Sequence, residues 1–187
     1  TRETLRNYVL FLANTGVRHG TEALGVTWRN IEWYERDGER YLAVSVDGKT
    51  NQRTAIARDR VVDFLWRQAQ LNPRITAGDF DALITAKLDE PVFTTRLSAT
   101  VTVHNLNRAF NALLDELDLK TGADGRTRTL YSWRHFYATQ ALERGVSIYA
   151  LIRQIGNSKQ IRARATGGHS VFIHVQIHRS DFEEGLL

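Results

Sequence analysis

Hydrophobic side chains recur three and four residues apart in several stretches of the chain, a spacing that predicts amphipathic helices. Shorter stretches are also predicted as helices, because they begin or end at residues that favour helix termini. The predicted helices cover residues 3–14, 21–25, 59–70, 102–117, 132–144, 147–155 and 158–164. Gly16, Gly145 and Gly156 follow three of these segments, as glycine commonly does at the end of a helix. The pattern therefore predicts a mostly helical chain.

Between residues 31 and 57 the pattern changes from helical to strand-like. The runs 31–34, 41–46 and 53–57 are rich in β-branched and aromatic residues. Asp37-Gly38 and Asp47-Gly48 separate these runs, and both dipeptides favour tight hairpin turns. A small three-stranded antiparallel meander is predicted, which makes the fold class α+β.

Two segments are harder to interpret. Residues 74–98 contain Pro91, which argues against a long helix there. Residues 171–178 alternate between apolar and polar like a strand, with no partner strand nearby. The sequence leaves open whether this segment pairs with the meander, pairs with a neighbouring molecule or has little fixed structure. We therefore divide the chain into a domain of residues 1–166 and an atypical tail of residues 167–187.

Composition excludes several classes of protein. The 187 residues include no cysteine, so disulfides, thiolate catalysis and cysteine zinc sites are ruled out. The longest apolar run, residues 8–13, is far too short to cross a bilayer, and the first residues lack the apolar core of a secretory signal. A cytoplasmic protein with no membrane partner is expected.

The distribution of charge points to a polyanionic partner. The chain carries 25 basic and 21 acidic residues, and all but four of the basic ones are arginine. A GC-rich genome would by itself favour arginine, but it would not concentrate the charge. Residues 126–164 contain eight basic side chains and one acid, a net +7, so the remainder must carry −3 to give the total of +4. Such a basic block is typical of proteins that bind nucleic acid.

Two candidate segments lie in the first half of the chain. In residues 15–22, Thr-Gly-Val-Arg-His-Gly-Thr-Glu, Arg18 stands between a helix end and a helix start. Glu22 can hold its guanidinium by a charge-assisted hydrogen bond, although a surface capping arginine would look the same. Lys49 lies at the second predicted hairpin turn, where most lysines are solvated and a few donate protons.

Two further segments lie in the basic block. Residues 131–135, Tyr-Ser-Trp-Arg-His, open a predicted helix, and helix N-termini attract anions. Tyr131 and Arg134 are three residues apart and should share one side, where both can address a phosphate. The alternative is that the aromatic residues form core, which suits Trp133 and Phe136. Asn157, in Ile-Gly-Asn-Ser, either caps the next helix or donates its amide to a ligand.

Taken together, these four segments resemble the catalytic domain of the tyrosine recombinases, the phage integrase family. Their order and spacing match that family from about residue 8 to about residue 160. The resemblance implies site-specific DNA recombination or integration by cleavage and rejoining of phosphodiesters. It also implies double-stranded DNA as partner, self-association on DNA, and no metal or small-molecule cofactor.

The resemblance assigns roles to particular side chains. Arg18 and Arg134 would clamp the scissile phosphate and stabilise the charge of its transition state. Lys49 would be the general acid that protonates the departing 5′ oxygen. Glu22 and His135 would support these groups. Family members usually carry a helical DNA-clamping domain ahead of this one, and its absence here predicts that the chain is a fragment.

Three other positions depart from the usual family pattern. Tyr131 stands where most members have histidine or lysine, and Asn157 where they have histidine or tryptophan. The nucleophilic tyrosine should follow Asn157 by about nine residues, a register that falls on Thr166, and the last tyrosine of the chain is Tyr149. An aliphatic alcohol is far less acidic than a phenol with its pKa of about 10, so Thr166 is a poor substitute.

The missing tyrosine leaves three explanations open: a decayed prophage remnant, a tail altered after about residue 160, and a protein retained as a non-catalytic DNA binder. The tail also contains His169, His174 and His178. Two of these are four residues apart, but the segment reads as a strand and has no acidic ligand close by. No metal site is therefore expected.

Overall fold

The computed structural model describes residues 2–48, 52–95 and 99–156 of the chain. Within these ranges the chain forms helices and one small sheet. The helices are α1 (Arg2–Thr15), α2 (Thr21–Leu24), α3 (Val61–Ala69), α4 (Phe80–Thr85), α5 (Ala99–Glu116), α6 (Ser132–Glu143) and α7 (Ile148–Ile155). The strands are β1 (Ile31–Arg36), β2 (Glu39–Asp47) and β3 (Gln52–Ala57). The predicted α+β class is confirmed.

The sheet is the antiparallel meander that the sequence predicted, in the order β1-β2-β3. Val44 at its centre lies opposite Ile31 on one side and Ala55 on the other. Asp37 and Gly38 have φ values of 54° and 80°, as a two-residue hairpin turn requires. The second predicted turn, with Lys49, lies outside the described residues.

The hydrophobic side chains form one large core and one small one. The large core joins α1 to the sheet, α3, α4 and α5, with Tyr8, Trp28 and Leu65 among its fully buried members. The small core consists of residues from α6 and α7 only. Helix α6 also lies against α1, α7 lies against β3, and Trp133 of α6 packs against the large core.

The sequence predicts one apolar stripe on the helix 102–117, made of Leu106, Phe110, Leu113, Leu114 and Leu117, and two of these positions prove wrong. Leu106, Phe110 and Leu114 of α5 are buried, but Leu113 and Leu117 are 42% and 54% exposed. The buried three follow one row of residues four apart along the helix. Leu113 and Leu117 lie on the neighbouring row, which faces away from the core.

Of the two aromatic residues of α6 that the sequence favours for the core, one is partly buried and one is exposed. Trp133 is partly buried against the large core, whereas Phe136 is exposed. The helix turns Arg134, Tyr137 and Ala138 inward, and this leaves Phe136 on the outer side.

The region around Pro91 contains one element that the sequence did not predict, α4. It is only six residues long, and its N-cap Asp79 accepts a hydrogen bond from the Ala82 N–H at 2.7 Å. The predicted helix 158–164 and the strand-like segment 171–178 lie outside the described residues. No helix in the described ranges has the length and hydropathy that a membrane-spanning segment needs.

Candidate functional site

Arg18 lies in the tight turn between α1 and α2. Helix α1 ends at Gly16, whose φ of 68° lets the chain leave the helix, while its N–H donates to the Leu12 carbonyl at 3.1 Å. The backbone N–H of Arg18 donates to Glu22 Oε2 at 2.9 Å, and its guanidinium Nη1 lies 3.8 Å from Glu22 Oε1. Arg18 and Glu22 are therefore in contact, but the hydrogen bond comes from the backbone N–H, and the guanidinium forms a longer ion pair instead of the predicted charge-assisted hydrogen bond.

Glu22 is almost completely buried and lies between two arginines. Its carboxylate is 3% exposed, and Oε2 also accepts from Arg53 Nη2 at 2.8 Å. The second arginine comes from β3, on the strand face that also carries the buried Ala55 and Ala57. Sequence analysis missed Arg53, although an arginine on the inward face of a strand could have indicated a buried partner.

Arg134 of α6 is the most deeply buried charged group of the site. Only 1% of the residue is exposed. Its Nη1 donates to the Gly16 carbonyl at 2.8 Å, and its Nη2 donates to the carbonyl of Ile155. Its Nε has no hydrogen-bond partner among the described residues. Burial lowers the pKa of Arg134 to about 10, so the guanidinium stays charged at neutral pH.

The two predicted clamp arginines belong to the same part of the molecule. Arg134 bonds the carbonyl of Gly16, 118 residues away in sequence and two residues before Arg18. The charges of Arg18, Glu22 and Arg53 also act on its pKa, after the larger effect of burial. Arg134 is nevertheless bonded to backbone rather than open to solvent, so its contact with a phosphate stays a prediction.

The remaining predicted residues divide between described and undescribed parts. Tyr131, just before α6, is partly buried, and its ring meets that of His135 edge to face with 5.4 Å between centroids. Tyr131 also acts electrostatically on Arg134. Lys49, Asn157 and Thr166 lie outside the described residues, as do the three tail histidines. In the described ranges, no three acidic, histidine or cysteine side chains could together hold a metal ion.

Gln154 of α7 ties the end of that helix to the rest of the molecule. Its Nε2 donates to the carbonyls of Thr15 and Ile56 at 3.0 and 2.8 Å, and its Oε1 accepts from the Ile56 N–H at 3.0 Å. No local pattern indicates this role, because a glutamine on a helix is usually solvated.

The buried Tyr8 of α1 makes hydrogen bonds to the turn that carries Arg18. The Tyr8 hydroxyl and His19 Nδ1 share a hydrogen bond of 2.8 Å, and the Gly20 N–H donates to the same hydroxyl at 3.2 Å. Burial lowers the pKa of His19 to about 4, against the opposing effect of a hydrogen bond to the Asn107 side chain. His19 is therefore neutral at pH 7.

The lowered pKa predicts an acid-sensitive turn. Between pH 6.5 and about 4 the unfolded chain protonates His19 and the folded chain does not. The free energy of unfolding should therefore fall by about 3 kcal/mol as the pH drops through this window. Urea unfolding at several pH values would measure this in the wild type and in His19→Asn, which keeps an acceptor for Tyr8 but cannot titrate. Identical pH dependence in the two proteins would contradict the expectation.

The chemistry available here is anion binding. Three guanidiniums, from Arg18, Arg53 and Arg134, act on one carboxylate, Glu22, which leaves a surplus of positive charge in a partly buried site. Only the Arg18 side chain is appreciably exposed, at 27%. Guanidinium groups bind phosphate oxygens in pairs of parallel hydrogen bonds. Arg18 is therefore the group best placed to meet a phosphate from solvent.

Comparisons with known proteins agree with the fold. The sequence matches no family model and no curated protein. Among solved structures it resembles the XerH site-specific recombinase in a pre-cleavage complex with its difH substrate, with a TM-score of 0.58 and 15% identity over 84% of this chain. It also resembles the Tn1549 transposon integrase in complex with a circular intermediate DNA, with a TM-score of 0.51 and 15% identity over 82% of this chain.

The chain spans 40% of the XerH chain and 50% of the integrase chain. The likeness confirms the predicted fold, that of a tyrosine recombinase catalytic domain.

Proposed function

Because the chain has the fold of a tyrosine recombinase catalytic domain, we propose that it binds duplex DNA and holds a backbone phosphate at Arg18. The clustering of three arginines around the single buried carboxylate of Glu22 carries this proposal. A phosphodiester of the polyanionic DNA backbone is an anion that such a cluster fits, since guanidinium forks match its paired oxygens. The basic block of residues 126–164 would add electrostatic attraction along the duplex.

We further propose that the domain derives from a site-specific recombinase acting in DNA integration or recombination. In that chemistry a hydroxyl attacks the phosphorus, the 5′ oxygen departs, and a lysine such as Lys49 supplies its proton. Arg18 would stabilise the charge on the non-bridging oxygens. Arg134 would contribute either a donor to the phosphate or the backbone geometry that presents Arg18. Tyr131 and His135 would complete this side of the site.

The second candidate function is a DNA-binding module without cleavage, including a decayed prophage integrase. The sequence favours this version for the chain itself, because Thr166 stands at the nucleophile register and no tyrosine follows Tyr149. A nicked suicide substrate, which traps any covalent protein–DNA link, separates the two. We expect salt-sensitive retention of the duplex and no adduct. A covalent adduct at any residue would instead establish cleavage.

The Arg18→Ala variant tests the proposed phosphate site. Loss of a charged hydrogen bond costs about 1.5–3 kcal/mol, so the Kd for a short duplex should rise about 10- to 150-fold. The slope of log K against log salt should also shrink by about one phosphate contact. Fluorescence anisotropy across a salt series measures both quantities.

Arg29→Ala is the matched control, because the exposed Arg29 pairs with Asp89 outside the cluster. Its affinity should stay close to that of the wild type. If Arg18→Ala and Arg29→Ala bind the duplex equally well, the phosphate site is not at Arg18.

Self-association on DNA and a cytoplasmic location, in a bacterial or phage-infected cell, belong to the same proposal. Neither a metal nor another cofactor is part of it. Sedimentation of the protein with a duplex of defined length measures the number of chains per DNA. A single chain on a duplex long enough for two would argue against self-association.

A further inference from the structure

We propose that Arg53 is a positioning residue that neutralises Glu22 and thereby leaves the charge of Arg18 available to a phosphate. This inference rests on the proposed function, because the Arg18 site is taken to be the phosphate site. None of the roles that the resemblance assigns in the sequence analysis falls on Arg53. It is identified here by its contacts alone.

The two arginines contact Glu22 unequally. Arg53 Nη2 lies 2.8 Å from Oε2, within hydrogen-bond distance, whereas Arg18 Nη1 lies 3.8 Å from Oε1. A carboxylate with 3% exposure needs a counter-charge, because burial of an unpaired charge is costly. Arg53 supplies that counter-charge, so Arg18 is held through its backbone N–H while its guanidinium stays partly open to solvent.

Without Arg53, Arg18 would be the nearest cation to Glu22. Its guanidinium would then move inward to close the 3.8 Å gap to Glu22, and the carboxylate would neutralise its charge. A phosphate arriving from solvent would meet a neutral pair instead of an available cation. The effect of Arg53 on anion binding is therefore expected to pass through Arg18.

Arg53 also fixes the end of α7. Its Nε donates to the Gln154 carbonyl at 3.2 Å, and the chain at Gly156 passes directly over its side chain. A Cβ on Gly156 would lie 2.6 Å from Arg53 Cδ, and the φ of 66° there is itself unfavourable for other residues. Arg53 thus connects β3, Glu22 and the C-terminal end of α7.

A direct contact between Arg53 and DNA is the less favoured interpretation. The side chain is only 12% exposed, and both its Nε and its Nη2 already donate to protein acceptors. A lysine could not replace it, because one ammonium cannot reproduce the two directed donors of the fork. The Arg53→Lys variant should therefore behave more like Arg53→Gln than like the wild type.

The test is a double-mutant cycle on DNA affinity. The Kd of a short duplex is measured for the wild type, Arg18→Ala, Arg53→Gln and the double variant, with thermal unfolding of each in parallel. We expect Arg53→Gln to raise Kd at least fivefold in the wild type and less than twofold in the Arg18→Ala background. The loss of thermal stability should be larger in the Arg18→Ala background, because neither arginine is then left to pair with the buried Glu22. Arg40→Gln, an exposed sheet arginine paired with Asp81, is the matched control and should leave Kd unchanged.

The outcomes separate the two proposals. Equal losses of affinity in both backgrounds, or none in either, would overturn the positioning role while Arg18→Ala still confirms the phosphate site. A wild type that does not bind duplex, or an Arg18→Ala variant that binds as well as the wild type, would overturn the proposed function and this inference with it.

If Arg53→Gln does not fold, Gly156→Ala displaces the Arg53 side chain while every charge is kept. It should raise Kd in the wild type but not in the Arg18→Ala background. Equal effects of Gly156→Ala in the two backgrounds would overturn the positioning role.

Discussion

Replacement of Arg134 by methionine is expected to lower the free energy of unfolding by about 3 kcal/mol or more. The variant loses two charge-assisted hydrogen bonds, to the carbonyls of Gly16 and Ile155, in a site that is almost fully buried. Those carbonyls lose their donor where water has little access, and relief from burying a charged guanidinium offsets only part of the cost. Urea unfolding followed by tryptophan fluorescence measures the difference.

Arg153→Met on α7 is the control for the chemical change itself, because Arg153 is exposed. It should alter the free energy of unfolding by less than about 0.5 kcal/mol. If the two variants are equally stable, the contacts of Arg134 with the two carbonyls contribute nothing to folding.

The burial of Arg134 changes how its DNA-binding phenotype should be interpreted. Replacing Arg134 would lower DNA affinity if it removed a phosphate contact. The same drop would result if it only shifted the turn that carries Arg18. Arg18 is the better reporter of phosphate binding, because it is partly exposed and its only described side-chain partner is Glu22.

Gly16→Ala is expected to destabilise the protein by about 2–4 kcal/mol. The φ of 68° at Gly16 lies in the left-handed region, which costs residues with a Cβ about 1–2 kcal/mol. The added Cβ would also lie 2.5 Å from Cδ1 of Tyr137. The Tyr137 ring is buried, and the Arg58 guanidinium lies 5.2 Å from its centroid, so it has little room to retreat.

Gly145→Ala separates the two contributions in the same urea experiment. Gly145 also has a positive φ, 79°, but nothing lies within 4 Å of the Cβ it would gain. Its replacement should cost only the backbone term, about 1–2 kcal/mol. Equal losses for the two alanine variants would show that the contact between α1 and the Tyr137 ring adds no strain.

The local pattern of the chain was enough to predict most of the elements. Helix ends at Gly16, Gly145 and Gly156, and the hairpin at Asp37, follow from preferences that act within a few residues. The contact of Arg18 with Glu22 was predictable for the same reason, since only four residues separate them. The likeness to tyrosine recombinases came from short motifs of this local kind, and the fold comparison confirmed it.

The wrongly predicted core positions lie on helices with apolar residues on more than one side. Leu113 and Leu117 fit an apolar stripe on α5, yet only the neighbouring row of leucines and Phe110 meets the core. Phe136 was misjudged similarly, because Arg134 and Tyr137 take the inward side of α6. A periodic pattern indicates that a helix has an apolar side. How much of that side is buried depends on the neighbouring elements that cover it.

By itself, the sequence determined most of the helices, the antiparallel meander, the excess of arginine and the contact of Arg18 with its nearby carboxylate, because each depends on residues close together in the chain. Only the tertiary structure decided that Arg134 bonds the backbone at Gly16 and Ile155, and that Arg53 forms the shorter ion pair with Glu22. The physical reason is that a buried charge is defined by the donors and acceptors that packing brings to it. Those partners lie 21 to 118 residues away.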